Sequence, residues 1–222
     1  MKFGKSLSFI FNDEYWFKKI TLPALCGLIP IIGGMIVLGW SLKVAQNVMD
    51  GVEEPLPELK FSEDLERGFS AWGIDFLYNL PIALLALISQ WQPLVSIKST
   101  EFIVAEVSTG SAILNGITTL LFFVVSIIAQ PAIMNFLVKS DFKAGFKFDE
   151  IWNIFRSNPG DWILVILATF VMGLFLPILG LLACVIGFFF VAPIISAASA
   201  HLMAQAYLRS QNRSQTPEMT AG

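Results

Sequence analysis

WILVILATFVMGLFLPILGLLACVIGFFFVAPIISAASAHLMAQAYL, Trp162 to Leu208, decides the fold, because between Asp161 and Arg209 its only ionisable groups are Cys184, His201 and Tyr207. A spanning helix takes about 20 apolar residues, so this run is long enough for two crossings and belongs in a membrane. Pro177 with Gly180 offers a place to turn between them. The whole chain agrees. With 55% hydrophobic and 14% charged residues and a mean hydropathy of +0.71, its 222 residues fall outside the range of soluble domains. The net charge of -3 is small and mixed in sign, which points away from nucleic acid as a partner. Cys26 and Cys184 sit in apolar runs and His201 is the only histidine, so neither a disulfide framework nor a multi-histidine metal site is expected.

A second apolar block, ITLPALCGLIPIIGGMIVLGWSL, runs from Ile20 to Leu42. Within it Leu28-Ile29-Pro30-Ile31-Ile32-Gly33 closely repeats Phe175-Leu176-Pro177-Ile178-Leu179-Gly180, so both blocks read as versions of one helix-Pro-Ile-x-Gly-helix unit. If both units are hairpins, the fold is all-α with six membrane helices, at about 17 to 29, 31 to 49, 72 to 91, 111 to 138, 162 to 177 and 179 to 208. If the first block crosses once, there are five. Charge favours six: of the 14 lysines and arginines only Lys98 then falls opposite the rest, as the positive-inside rule asks of a cytoplasmic face holding both termini. The first two helices are short for a full crossing, so a re-entrant hairpin shielded by its neighbours stays open.

Three stretches carry apolar residues at helical spacing and read as amphipathic helices at the lipid headgroups. They hold Phe3, Leu7, Ile10 and Phe11; Leu65, Phe69, Trp72 and Phe76, after a cap at Ser62; and Phe148, Ile151, Trp152 and Phe155. Trp91 to Gly110 reads as a polar connector. The organisation is one helical membrane domain over 1–209 and a polar, disordered tail over 210–222.

One further pattern is familiar. Pro30-Ile31-Ile32, Gly39-Trp40, Leu56-Pro57, Gly68, Tyr78-x-x-Pro81, Phe146-x-Phe148 and Asn158-Pro159-Gly160-Asp161 follow one another in an order that resembles the prokaryotic membrane family called domain of unknown function 4013. Trp40 stands where that family suggests Tyr. The resemblance implies a multi-span bacterial or archaeal membrane protein and supplies no catalytic residue.

Polar residues inside the apolar helices are the candidates for function. Asp75 and Asn79 on the third helix, Gln130 and Asn135 on the fourth, and His201 and Gln205 on the sixth lie at similar depth from the cytoplasmic ends. Either they line a water-filled cavity or they are hydrogen-bonding glue between helices. Ala192, Ser196, Ala200 and Ala204 recur every four residues, a small-residue face for close helix packing, within the chain or against another subunit. No nucleophile and base pair, metal cluster or cofactor motif stands out. The expectation is therefore a non-enzymatic prokaryotic inner-membrane protein that acts as a scaffold or accessory subunit or interacts with lipid. Membrane lipids and other membrane subunits or a second copy are its expected partners. The alternative is a small transporter or channel with a cytoplasm-side polar cavity.

Overall fold

The structure, a computed structural model, describes residues 3–95, 109–182 and 186–219, and among them every regular element is helical. The helices are α1 (Phe3–Asn12), α2 (Trp16–Cys26), α3 (Ile32–Met49), α4 (Phe61–Val95), α5 (Thr109–Lys139), α6 (Phe148–Ser157), α7 (Pro159–Leu182) and α8 (Ile186–Met219), with a 3₁₀ turn at Phe142–Phe146 between α5 and α6. Among the described residues four stretches are long and apolar enough to cross a membrane: Phe61–Leu87, Ala112–Lys139, Pro159–Leu182 and Gly187–Arg213. α2 is not, since its 11 residues reach only about 16 Å against a hydrocarbon layer of about 30 Å.

α3 and the C-terminal part of α8 form the centre: α3 packs on α2, α4 and α8, while α8 packs on α7, α1, α2 and α6 as well. Burial gathers at one end of the spans. In α5 residues 129–137 are buried or half-buried, whereas 112–124 are mostly exposed; in α8 residues 197–207 are largely buried and Phe188 and Phe189 are exposed. In hydrocarbon an exposed leucine or phenylalanine costs nothing, so apolar bulk can face outward while small residues bring helices together. The closest approach is of this kind. A Cβ on Gly39 of α3 would lie 1.7 Å from the Asp64 carbonyl oxygen, and one on Gly68 of α4 would lie 1.7 Å from the Met35 carbonyl oxygen. Only two glycines let the backbones touch there.

In the Leu65, Phe69, Trp72 and Phe76 stripe, read as facing the lipid headgroups, Phe69, Trp72 and Phe76 are exposed, and the buried face of α4 is Asp64, Gly68, Ala71 and Ile74. Several expectations are corrected by the same physics. α4 begins at Phe61 rather than after Ser62, and the Asp64 carboxylate caps it by accepting from the Lys60 backbone N–H at 2.7 Å. The two Pro-Ile-x-Gly stretches differ. Pro30 does sit in the turn between α2 and α3, but Pro177 lies inside α7, which runs on to Leu182. A lipid-exposed helix continues through proline because breaking it would leave backbone groups without partners. Gly180 instead marks the hairpin's packing, where a Cβ would come within 3.1 Å of the Gly187 carbonyl oxygen. α8 continues through the expected tail as far as Met219, with Ser210 buried. Most of the Trp91 to Gly110 connector, with Lys98, and also Cys184 lie outside the described residues.

Most backbone N–H groups of the turn at Pro30 find partners within it. Gly27, Leu28, Ile29, Ile32, Gly33 and Met35 donate their backbone N–H groups to carbonyls within residues 23–31. At its tip the Ile32 N–H reaches the Pro30 oxygen at 2.7 Å across Ile31, whose φ of 66° and ψ of −64° make it a classic-hand γ-turn. This conformation strains a β-branched residue. Leu28, Ile29, Ile31 and Ile32 around it are all exposed.

Candidate functional site

The polar side chains at the buried end of the bundle hold two connectors. Trp40, Lys43 and Asn47 lie along one face of α3, at i, i+3 and i+7. The fully buried Trp40 donates its Nε1–H to the Pro57 carbonyl at 2.9 Å, Lys43 Nζ donates to that of Glu58 at 3.2 Å, and Asn47 Nδ2 to that of Pro55 at 3.0 Å. The segment between α3 and α4 is thereby pinned by three successive turns of one helix. Beneath it Asp64 is 0% exposed, with Arg67 Nη1 at 3.0 Å and Lys43 Nζ at 3.4 Å. Arg67 also reaches the Gly39 carbonyl at 3.4 Å. A buried carboxylate survives because charge and hydrogen bonds replace its water.

The connector between α5 and α6 is held in a similar way from two spans. Asn135 Nδ2 donates to the Ala144 carbonyl and to Glu150 Oε2, each at 2.8 Å, and Tyr78 Oη donates to the Gly145 carbonyl at 3.0 Å while its ring stacks on Phe146. Glu150 also receives Lys139 Nζ at 2.5 Å. The hydrogen bonds from Lys139 and Asn135 hold the Glu150 carboxyl below its ordinary value. A third cluster ties α7 to α8. Asn158 donates to Asp161, which also accepts from Arg209 at 3.2 Å, while Arg213 donates to the Asn158 side-chain oxygen at 3.1 Å and Trp162 Nε1 to the Ile154 carbonyl at 3.3 Å.

Against this frame the six expected polar residues separate into three places. Asn79 Nδ2 turns back on its own helix, to the Asp75 carbonyl at 2.9 Å and carboxylate at 3.3 Å. Asn135 belongs to the α5–α6 connector, and Gln130 lies half-buried one turn away on α5. His201 Nδ1 and Gln205 Nε2 are 2.9 Å apart on α8, and the His201 ring stacks on Phe9 of α1 with centroids 4.7 Å apart. His201 also lines a polar cleft of about 360 Å³ with Phe9 and Asn12 of α1, Asp13 just after it, and Glu53 and Glu54 of the first connector. Of the small-residue face, Ala200 and Ala204 are buried within the chain, Ser196 is half-buried and Ala192 is exposed.

The residues that organise these connectors coincide with much of the pattern noted in the sequence: Gly39-Trp40, Pro57, Gly68, Tyr78, Phe146 and the Asn158 to Asp161 stretch. A family model described as "Protein of unknown function (DUF4013)" matches residues 23–185. The chain belongs to this family. The match takes in the end of α2, α3 to α7 and both connectors, and leaves out α1 and α8. No curated protein and no solved structure matches the chain. Sequence reasoning reached Tyr78 only through the family pattern, used Lys43 only as a topology-setting charge, and passed over Asn47 and Asp64. Their signal was present: a polar face on an otherwise apolar helix, ahead of a proline-rich link whose carbonyls need donors.

Proposed function

We propose that this family member is a non-catalytic multi-pass protein of the prokaryotic cell membrane that serves as a scaffold or accessory subunit. It displays α1, both connectors and α6 as one shaped cytoplasmic face. The observation that carries this is where the polar side chains of the buried helices go: Trp40, Lys43, Asn47, Tyr78 and Asn135 all donate to connector carbonyls. They fix the shape of a surface, and residues so committed are poor choices for a permeation path. Orientation follows from charge, since Lys18, Lys19, Lys43, Lys60, Lys139, Lys143, Lys147, Arg156, Arg209 and Arg213 cluster at the same helix ends.

In this arrangement α2 and α3 form a re-entrant hairpin rather than two full crossings, so the spans number four and both termini are cytoplasmic. The largely self-bonded turn at Pro30 and the apolar side chains around it suit a tip in hydrocarbon. Partners are the surrounding lipid and another membrane subunit or a second copy of the chain. The cleft at His201 favours a second reading, a small transporter with a cytoplasm-side opening.

Gentle purification from the native membrane followed by native mass measurement separates these. A protein partner or a second copy in fixed stoichiometry is expected; a lone chain, together with solute flux in liposomes abolished by His201→Ala, would replace the scaffold with the transporter.

A further inference from the structure

α6 is the most amphipathic element of the chain. Ile151 and Ile154 are buried on one face, while Phe148 is 65% and Trp152 52% exposed on the other. Those exposed aromatics do not stand alone. They form one wall of a groove of about 380 Å³, completed by Ile151 and Phe155 of the same helix, by Tyr78 of α4 and by Ile128 of α5. The size falls at the lower end of the range for small-molecule sites, about 300–1,000 Å³.

Three features identify the occupant. First, the groove joins two kinds of surface: Tyr78 and Ile128 belong to spanning segments, and Phe148 and Trp152 to a helix lying across their ends, so it opens sideways to lipid. Second, the lining is apolar apart from the Tyr78 hydroxyl, committed to Gly145, and the Asp149 carboxylate, so it suits a hydrocarbon chain. Third, a cation stands at one end of the lining: Arg156 follows Trp152 by one helical turn on the same side of α6. Glu150 is taken up chiefly by Lys139 at 2.5 Å and lies 3.8 Å from Lys147, while Arg156 is exposed and forms no ion pair among the described residues. Aromatic side chains beside lysine and arginine mark the level of lipid headgroups.

We propose that this groove is a phospholipid site: one acyl chain lies between Tyr78, Ile128 and Trp152, with the phosphate drawn to Arg156. It deepens the scaffold reading and rests on it only for the side of the membrane on which α6 lies.

The test uses the full chain in detergent, stripped of lipid and then reloaded from mixed micelles of phosphatidylglycerol, with bound lipid counted by native mass measurement. Wild type is expected to retain a single lipid through detergent exchange. Ile128→Trp, which fills the groove, is expected to lose it, and Arg156→Ala to weaken retention by about tenfold or less. Equal retention by wild type and Ile128→Trp overturns the proposal. Should Ile128→Trp fail to fold, titration of wild type and Trp152→Phe with bromine-labelled phosphatidylglycerol decides instead. Quenching lost with Trp152 that saturates at one equivalent supports the site, and quenching that rises without saturation rejects it. Protein partners are read by co-purification and lipid by this count, so either reading can fail without the other.

Discussion

The two connectors are built alike and secured differently. Each is a short segment whose carbonyls are caught by side chains from buried helices: Trp40, Lys43 and Asn47 for the first, Asn135 and Tyr78 for the second. The first is also clamped by backbone contact at Gly39 and Gly68 and by a carboxylate sealed from solvent with two cations. The second relies on Glu150, whose partners Lys139 and Lys147 are 40% and 49% exposed, and it leaves a groove open beside it. Sealed charge and touching glycines make a rigid joint, and water-accessible ion pairs make a weaker one. On the proposed reading the first connector holds the fold and the second meets lipid.

The largest effect should come from the glycine contact. Gly39→Ala places a methyl group where the Asp64 backbone already lies, and since backbone cannot give way as a side chain can, destabilisation of about 3 kcal/mol or more is expected. Thermal unfolding in detergent would show this, and a wild-type midpoint would break the distinction between the connectors. Asp64→Ala comes next, at roughly 3 kcal/mol, because Lys43 and Arg67 are left together without their counter-charge. In the second connector Asn135→Leu should cost about 1–3 kcal/mol, measured in the same way, through loss of its hydrogen bonds to the Ala144 carbonyl, which keeps the Lys147 N–H, and to the Glu150 carboxylate.

Acid response should be the smallest difference and the most specific. The Glu150 carboxyl is lowered by its hydrogen bonds, so the stabilisation it provides is complete above the ordinary carboxylate range and is lost as pH falls through the lowered value. Glu150→Gln should melt below wild type at neutral pH and converge with it in acid. A constant gap between the two midpoints would show that Glu150 does not act through its charge.

Much of this was legible in the sequence, and the parts that were not share one cause. The apolar run from Trp162 to Leu208 announced a membrane hairpin, and α7 and α8 form one. Helical spacing of apolar residues, which marks a core in water, marks the outer surface here: Phe69, Trp72 and Phe76 are exposed while Gly68 and Ala71 are buried. For the same reason Pro177 does not break α7, because a helix in lipid has no water to take up its backbone groups. The polar residues were found, but their sharing one layer was inferred from depth along each helix alone. Depth does not give rotation about the helix axis, so Asn79 turns to Asp75, Asn135 to a connector and His201 to Phe9.

The central claim is that both connectors lie on one face while the α2–α3 hairpin enters the membrane without crossing it. Single cysteines at Glu53, Lys143 and Ile31, in a background lacking Cys26 and Cys184, test it by labelling intact cells and inside-out vesicles with a membrane-impermeant thiol reagent. The account predicts that positions 53 and 143 react only in inside-out vesicles and that position 31 reacts in neither. Reaction at position 31 from outside the cell, or opposite sidedness of the two connectors, would contradict it.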